Sequence, residues 1–450
     1  MLQISSNRRY FTKEEGSPFF WLGDTAWEML HKLTKEETIR YLDTRAEQGF
    51  TVMQTVVLAE LDGLEAPRPD GAIPLLGKDP RKPNPVYFEH VDWVLEQSAK
   101  RGLTIALLPT WGKWATPWEW TGATDREELM ANVVFDEEGA FVYGAYLGDR
   151  YKEAKNLVWV LGGDVSPVNE VALANWRAMA RGIREGGGRQ LMTFHPFGEH
   201  RASQWLQGES WMDFNMIQSG HKAAPFPNWE MIDKDLATDP SRPTLDSEPC
   251  YENTSVGQFA SSRRFNDQDV RMAAYSAVFH GACGHTYGCN DIWQMRRFGD
   301  TPVFGGIGYW FRSLALPGAG QMRHLKNLML SRPYFERVPD QGCILPSSTS
   351  RMVDANHLSA TRDGTLGGKD ASYIMIYRPT PYRISVDTSC IESSRLSIWH
   401  YDPQSGYAID LGERENTGRC DMAEGVLGPD SVLVIDDASC SYRAPGLLSD

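Results

Sequence analysis

Over roughly the first 330 residues, short runs of β-branched and aromatic side chains alternate with longer stretches in which apolar residues recur at helical spacing. This alternation is typical of βαβ units. Eight runs qualify as strands: FFWLG from Phe19, TVMQTVVL from Thr51, LTIALLP from Leu103, LVWVLGG from Leu157, LMTFHP from Leu191, FNMIQSG from Phe214, PTLDSEP from Pro243 and HTYG from His285. Eight strands separated by helices predict a (β/α)8 TIM barrel.

Two of the intervening helices carry clear end signals. Thr34 and Glu37 have the spacing of a capping box, and Gly49 stands where the helix would end. Asn84 followed by Pro85 is a typical helix start. Two further helices are predicted at Asp267–Ala282 and Gln321–Leu330.

Near residue 345 the pattern changes to short alternating segments separated by Gly, Pro, Ser and Asp. The segments are SYIMIYRP, RISVDTS, RLSIWHYDP, GYAIDLG and SVLVIDD. They predict a small all-β domain, a sandwich. We therefore expect a barrel of residues 1–345 and a C-terminal β-sandwich of residues 346–450.

The composition is that of an ordinary globular protein, with 41% hydrophobic and 23% charged residues in 450. The formal net charge is −14 and no long basic run occurs, which argues against nucleic acid as a partner. The N-terminus lacks the apolar run of a signal peptide, and no apolar stretch is long enough to span a membrane. We expect a soluble, cytoplasmic protein with no membrane partner, whose seven scattered cysteines are reduced thiols.

Polar and aromatic residues collect at the predicted strand ends, where the active site of a (β/α)8 barrel lies. The candidates for contact with a substrate are Asp24, Trp27, Trp111, Trp114, Asp164, His195, Gln218, His221, Glu248, Tyr251, His285, Tyr287 and Trp293. Carboxylates, aromatic rings and hydrogen-bonding groups together are typical of a carbohydrate site.

Asp164 and Glu248 form the strongest pair, because they end predicted strands 4 and 7 and can face each other across the barrel mouth. Glycoside hydrolysis needs one carboxylic acid to protonate the leaving oxygen and one carboxylate to attack, or to direct water to, the anomeric carbon. Alternatively, Asp164 caps the next helix and Glu248 forms a salt bridge at the rim. Their joint placement favours catalysis. A separation of about 5 to 5.5 Å would indicate a retaining mechanism, and about 6.5 to 9.5 Å an inverting one.

His195, His221, Asp246 and His285 raise the alternative of a metal-dependent hydrolase. The spacings that would make a metal site convincing, such as H-x-H, are absent. We predict no metal and no other cofactor. Cys283 and Cys289 flank His285 but are better interpreted as buried thiols. A barrel that binds carbohydrate without cleaving it is a further alternative.

Tryptophan is the outlying residue type, with 15 in the chain and 14 of them before residue 345. Trp21, Trp93, Trp159 and Trp176 fall inside strand or helix patterns and are expected to pack in the core. Four others, Trp27, Trp111, Trp114 and Trp293, fall beside strand ends and are candidates for stacking on a sugar. Asp24, next to Trp27, is favoured as a ligand of a sugar hydroxyl over a helix cap.

The ordered motifs FFWLGDTAWEMLHKLT, LLPTWGKW, LVWVLGGD, RPTLDSEPCYEN and AAYSAVFHGACGHTYGCNDIWQM resemble the apiosidase-like glycoside hydrolases of family 140. The segment IWHYDPQSGYAIDLGERENTG resembles the small β-domain, sometimes labelled collagen-binding, that follows the barrel in those proteins; we expect it to be a packing domain.

The resemblance implies a retaining hydrolase with Asp164 as acid/base and Glu248 as nucleophile, acting on apiose-containing or other plant-type glycans. Many barrel glycosidases end strand 4 with Asn-Glu, whereas this chain has Gly163-Asp164, so another sugar specificity, pyranosidase or arabinofuranosidase-like, stays open. The expected partner is an oligosaccharide or a small glycoside. The sugar, the linkage and the anomer depend on loops such as Leu61–Lys82 and Thr121–Glu138, and the pattern does not predict the oligomeric state.

Overall fold

The computed structural model describes residues 1–116, 133–258, 263–346, 357–380, 382–422 and 428–448. Most of the predicted loop Thr121–Glu138 therefore lies outside the described residues. Within them, no helix is both long and apolar enough to cross a lipid bilayer.

A parallel eight-stranded barrel forms the larger part of the molecule, as the sequence predicts. Its strands are β4 (Trp21–Thr25), β5 (Val52–Leu58), β6 (Thr104–Thr110), β7 (Leu157–Gly162), β8 (Met192–His195), β10 (Asn215–Gln218), β11 (Thr244–Asp246) and β12 (Gly284–Tyr287). Strands β8 to β4 pair in reverse chain order, and β4 then pairs with β12, which leads to β11 and β10. The Thr193 hydroxyl donates to the Phe214 carbonyl at 2.6 Å and helps to close the barrel between β8 and β10.

Short antiparallel strands accompany the barrel. They are β1 (Gln3–Ile4), β2 (Phe11–Thr12) and β3 (Pro18–Phe19), which form a small sheet before the first barrel strand, and β9 (His200–Arg201), which pairs with β10.

Helices connect the strands, and the helices with predicted ends begin where the sequence indicates. They are α1 (Met29–Lys32), α2 (Lys35–Glu47), α3 (Pro85–Ala99), α4 (Glu137–Tyr151), α5 (Glu170–Glu185), α6 (Ser203–Leu206), α7 (Asn228–Leu236), α8 (Asp267–Phe279), α9 (Asn290–Trp293), α10 (Trp310–Ser313) and α11 (Pro317–Leu330). Thr34 and Glu37 form the predicted capping box, and Asn84 caps α3 with Pro85 in the first turn. Gly49 adopts φ 86° just beyond α2, a conformation that L-residues avoid.

The C-terminal residues form a separate antiparallel β domain. Its strands are β13 (Val338–Pro339), β14 (Ile344–Leu345), β15 (Ser359–Arg362), β16 (Tyr373–Arg378), β17 (Ile384–Asp387), β18 (Arg395–Tyr401), β19 (Ala408–Glu415), β20 (Arg419–Met422) and β21 (Ser431–Asp437). Six of them make one sheet in the order β13-β15-β16-β21-β18-β19, and β14-β17-β20 make a second. Ile374, Ile376 and Ile435 from the first sheet share a core with Ile384 and Val386 from the second.

The barrel and the β domain share a buried interface. Because side chains alternate along β16, Tyr373, Met375 and Tyr377 face the barrel core while the isoleucines between them face the second sheet. The Tyr377 ring stacks on Tyr275 of α8 with centroids 4.8 Å apart. Arg271 of α8 binds Asp430 at 2.8 and 3.0 Å, with both side chains fully buried.

Candidate active site

The turn that follows β7 places Asp164 at the mouth of the barrel. Gly162, Gly163 and Asp164 have φ values of 87°, 110° and 52°, so the chain leaves the strand through three residues in conformations that favour glycine. A Cβ on Gly162 would lie 2.4 Å from the His195 carbonyl oxygen, and one on Gly163 would lie 2.8 Å from Trp111. The adjacent glycines therefore let the turn pack against the ends of β6 and β8.

Asp164 does not cap the next helix. Asn169 caps α5, since its side chain accepts a hydrogen bond from the amide of Ala172 at 2.9 Å. The buried Asp164 Oδ1 has no hydrogen-bond partner among the described residues. The helix-cap alternative from the sequence is thereby removed.

Glu248 lies two residues beyond β11 and contacts two imidazole rings. The His221 Nε2 is 3.2 Å from Glu248 Oε1, and the His195 Nε2 is 3.2 Å from Glu248 Oε2. Because all three side chains are at least nine-tenths buried, solvent screens these contacts weakly. Glu248 is thus held by histidines at the end of the barrel, and not by the rim salt bridge that the sequence left open.

Asp164 and Glu248 are close together. An oxygen of Asp164, a ring nitrogen of His195 and an oxygen of Glu248 all lie within 4.8 Å of one another. A group of this spacing among the described residues could hold a metal ion. Of the other predicted metal ligands, His221 contacts Glu248 at 3.2 Å, whereas Asp246 is held by Ser219 and Asn228, from which it accepts at 2.6 and 3.0 Å.

The two carboxyl groups have opposite pKa shifts. Burial and the negative charge of Glu248 raise the pKa of Asp164 to about 7. Burial alone would also raise the pKa of Glu248, but His195 and His221 lower it to about 2. Burial likewise opposes the charge on His195, whose pKa is nevertheless raised by the Glu248 carboxylate. Near neutral pH, the site therefore holds one ionised carboxylate beside one carboxyl that keeps its proton to a much higher pH.

A cavity of about 520 Å³ opens above these groups, a size typical of ligand pockets. It is lined by Asp164, Phe197, Gly198, Glu199, Gln218, Gly220, His221, Lys222, Glu248, Gly257, Gln258 and Phe304. Gln218 Oε1 and His221 Nδ1 are buried without a hydrogen-bond partner among the described residues. Unpaired polar atoms of this kind can bind the hydroxyl groups of a ligand.

Aromatic rings pack behind the cavity. Trp27 meets the His195 ring edge-on with centroids 5.3 Å apart, and Trp111 lies 6.3 Å from it. Tyr251 lies 4.3 Å from the His221 ring. Trp27, Trp111, Trp114 and Trp293 are all at least nine-tenths buried, so they present little open face to a ligand, and Trp27 and Trp111 pack against His195.

Three predicted substrate ligands face the helices, away from the cavity. Asp24 accepts from Tyr41 and Arg45 of α2 at 2.5 and 2.6 Å, and the Tyr287 hydroxyl donates to Glu252 at 2.6 Å. His285 lies two residues before Tyr287 and therefore on the same side of β12. Burial alone lowers the pKa of His285 to about 3, with no charged neighbour contributing. The prediction that Asp24, His285 and Tyr287 bind substrate is therefore wrong. The sequence located the strand ends but did not show which side chains point inward.

Sequence reasoning missed Glu60 and Phe304. Glu60 follows β5 as Asp164 follows β7, so the strand-end rule could have found it. Burial and the negative charge of Asp164 raise the pKa of Glu60 to about 8, which adds a third carboxyl group to the mouth of the barrel. Phe304 lies in the loop after α9, and an apolar residue in a loop carries no sequence signal of a binding site.

Two protein families and solved structures of glycoside hydrolases are similar to this chain. The family described as "Apiosidase-like, catalytic domain" matches residues 5–336, and the family described as "Putative collagen-binding domain of a collagenase" matches residues 338–436. A solved structure described as a glycoside hydrolase is 31% identical over 97% of each chain, with a TM-score of 0.86. A glycoside hydrolase of family 5 from Bacteroides vulgatus is 31% identical over 100% of this chain and 96% of its own, with a TM-score of 0.88. No curated protein sequence matches the chain.

Proposed function

The chain belongs to the apiosidase-like glycoside hydrolases, and we propose that it cleaves its glycoside with retention of configuration, with Glu248 as the nucleophile and Asp164 as the acid/base. The opposite pKa values of the two carboxyl groups carry this assignment. Their causes are distinct: His195 and His221 keep Glu248 ionised, while burial and the nearby Glu248 charge keep a proton on Asp164. A pair whose environments separate the two pKa values in this way is suited to one nucleophile and one general acid.

The spacing of the pair supports retention. One oxygen of each carboxyl group lies within 4.8 Å of the other, a close approach that favours the roughly 5 to 5.5 Å separation of retaining enzymes over the roughly 6.5 to 9.5 Å of inverting ones.

The reaction would proceed in two steps. A Glu248 oxygen attacks the anomeric carbon as the bond from that carbon to the leaving oxygen breaks, and Asp164 gives its proton to the leaving oxygen. Water then attacks the glycosyl-enzyme ester at the anomeric carbon, Asp164 takes a proton from the water, and the Glu248 carboxylate is released. Asp164 regains its proton in the second step, so both groups return to their starting states.

The proposed substrates are plant-type glycans or glycosides, with apiose as the leading candidate for the released sugar because of the family to which the chain belongs. Gln218, His221, His195 and Tyr251 would contact its hydroxyl groups, since they surround the two carboxyl groups. The strand-4 end is Gly163-Asp164 where many barrel glycosidases have Asn-Glu, so pyranoside specificity does not carry over directly.

The test compares Glu248→Gln and Asp164→Asn with the wild type on aryl glycosides and on oligosaccharides that contain apiose, arabinose or rhamnose. We expect each variant to stay folded and to lose turnover by at least about 10³-fold. Glu230→Gln, on the exposed face of α7, serves as the matched control and should keep wild-type rates.

The product anomer is followed by NMR from the first turnovers. An initial product with the substrate's anomeric configuration is expected. An initial product of the opposite configuration would rule out retention, and near-normal rates in either carboxyl variant would rule out its assigned role.

A further inference from the structure

Phe304 is a large apolar side chain left open at the cavity. It is 41% exposed, and it is one of the residues that line the cavity with Asp164 and Glu248. Glu248 is buried and Asp164 is partly buried, so Phe304 lies nearer the open end of the cavity than the two carboxyl groups do. Exposed apolar rings beside a pocket are characteristic of ligand contact.

The backbone of Phe304 is strained. Its φ and ψ are 49° and 38°, in the left-handed region that bulky residues avoid. Ten non-glycine residues of the described chain have positive φ, and four of them, Asp164, Glu199, Gln258 and Phe304, line this one cavity. Strained residues concentrate at functional sites because the surrounding structure must hold them there.

Side chains from the neighbouring loop hold this conformation. Asn290 Nδ2 lies 3.3 Å from the carbonyl oxygens of both Val303 and Phe304. Gln294 accepts from the amide of Val303 at 3.0 Å. Arg264 donates to the carbonyl of Gly305 at 2.5 Å. These hydrogen bonds fix the backbone on both sides of Phe304 and do not involve its ring.

A buried tryptophan lies behind the ring. The Trp293 and Phe304 centroids are 6.3 Å apart at 41°, and Trp293 is itself anchored by its Nε1 donating to Asn290 at 3.0 Å. One side of the Phe304 ring is therefore supported while part of it stays open to the cavity.

We propose that Phe304 is a stacking platform for a second sugar unit, next to the unit that is cleaved between Asp164 and Glu248. The inference rests on the proposed function and narrows its substrate class to glycans with at least two sugar units. The cleaved sugar must reach the buried Glu248 carboxylate, so a ring nearer the open end of the cavity meets the neighbouring sugar. The C–H face of a sugar is apolar and flat enough to pack on an aromatic ring.

The experiment measures kcat/KM for Phe304→Ala on two substrates that release the same sugar, a glycan of two or more units and a 4-nitrophenyl glycoside of one unit. We expect the longer substrate to lose about 3- to 10-fold, mostly through KM, and the single-sugar substrate less than about 2-fold. Phe304→Tyr keeps the ring and should keep wild-type values on both. Leu366→Ala, a 61% exposed residue of the β domain, controls for truncating an exposed apolar side chain.

Phe304→Gly separates the ring from the backbone strain. Glycine accepts φ 49° without penalty, so this variant should unfold at the wild-type temperature or higher while losing the longer substrate as Phe304→Ala does. Equal losses on both substrates, or no loss on the longer one, would overturn the platform.

A measurement of glycan binding without turnover separates the proposed platform from the proposed catalytic function. On a Glu248→Gln background, calorimetry with the longer glycan should show affinity 3- to 10-fold weaker when Phe304 is also replaced by Ala. If the wild type hydrolyses no glycoside, the proposed function fails, and unchanged glycan binding in this comparison would still overturn the platform separately.

Discussion

At the scale of single residues, two imidazole rings keep Glu248 ionised, while burial and the Glu248 charge keep a proton on Asp164. The proposed mechanism needs Asp164 protonated and Glu248 ionised in the free enzyme. Activity is therefore lost as pH rises through the Asp164 pKa of about 7 and as pH falls through the Glu248 pKa of about 2.

The first prediction follows from this pH window. In wild type, kcat/KM should be level in mildly acidic buffer and fall about tenfold per pH unit above pH 7. His195→Asn removes one of the groups that lower the Glu248 pKa, so the acidic limb should move up toward the ordinary glutamate value of about 4.3. The profile is measured from pH 3 to 9, with His324→Asn on the remote helix α11 as the control. An acidic limb that stays put in His195→Asn would contradict the role of the imidazole.

Some residues of the candidate site could be predicted from the sequence and others could not. Asp164 and Glu248 could be proposed from the sequence because strand ends are visible there, and the joint placement of two carboxylates at the ends of strands 4 and 7 favoured catalysis over a cap or a salt bridge. Asp24 and Tyr287 have the same kind of position but lie against Arg45 of α2. Which side chains of a strand point inward depends on packing that a buried run such as WLGDT does not reveal. Phe304 could not be predicted as a site residue, because its backbone conformation is imposed by side chains far from it in the sequence.

At the scale of the element, the turn after β7 positions Asp164, the proposed acid/base. The strand itself was predictable from LVWVLGG, and so were the glycines as a stop signal. That Gly163 needs φ 110° and packs against Trp111 could not be predicted, since it depends on how β6 and β7 lie side by side.

The second prediction tests this turn. Gly163→Ala introduces a Cβ 2.8 Å from Trp111 and a side chain that disfavours φ 110°, so the turn must shift and carry Asp164 with it. We expect kcat to fall at least about tenfold and the free energy of unfolding to drop by about 1 to 3 kcal/mol. Steady-state kinetics and urea unfolding measure the two effects.

Gly320→Ala is the matched control. Gly320 lies in α11 with open space around its Cα, so alanine there should leave kcat unchanged and stabilise the protein by about 0.5 to 1 kcal/mol. If Gly163→Ala kept the wild-type kcat, the expected effect of the turn on the position of Asp164 would be contradicted.

At the scale of the whole molecule, the β domain is fastened to the barrel through α8. The run YIMIYR is buried on both faces because one face of β16 packs on the barrel and the other on the second sheet. The β pattern was predictable from the sequence, but the double burial was not, since it depends on where the domain docks. Docking through a packed core, in place of an exposed linker, is expected to make the two parts unfold together.

The third prediction concerns the ion pair in that interface. Asp430→Ala removes the bidentate partner of the buried Arg271 guanidinium, which keeps only its contact with Asp267 at 2.7 Å as an ion pair, and also removes the acceptor of the Tyr377 hydroxyl at 3.0 Å. Breaking a buried pair on one side costs about 3 to 5 kcal/mol when the remaining charge has no other partner, so this range is the upper bound for a guanidinium that keeps Asp267. Urea unfolding followed by tryptophan fluorescence should show this loss. Glu413→Ala breaks the exposed pair with Arg395 and should cost no more than about 1 kcal/mol. Equal effects of the two substitutions would mean that the interface charge is solvated, and that the β domain docks through its apolar face alone.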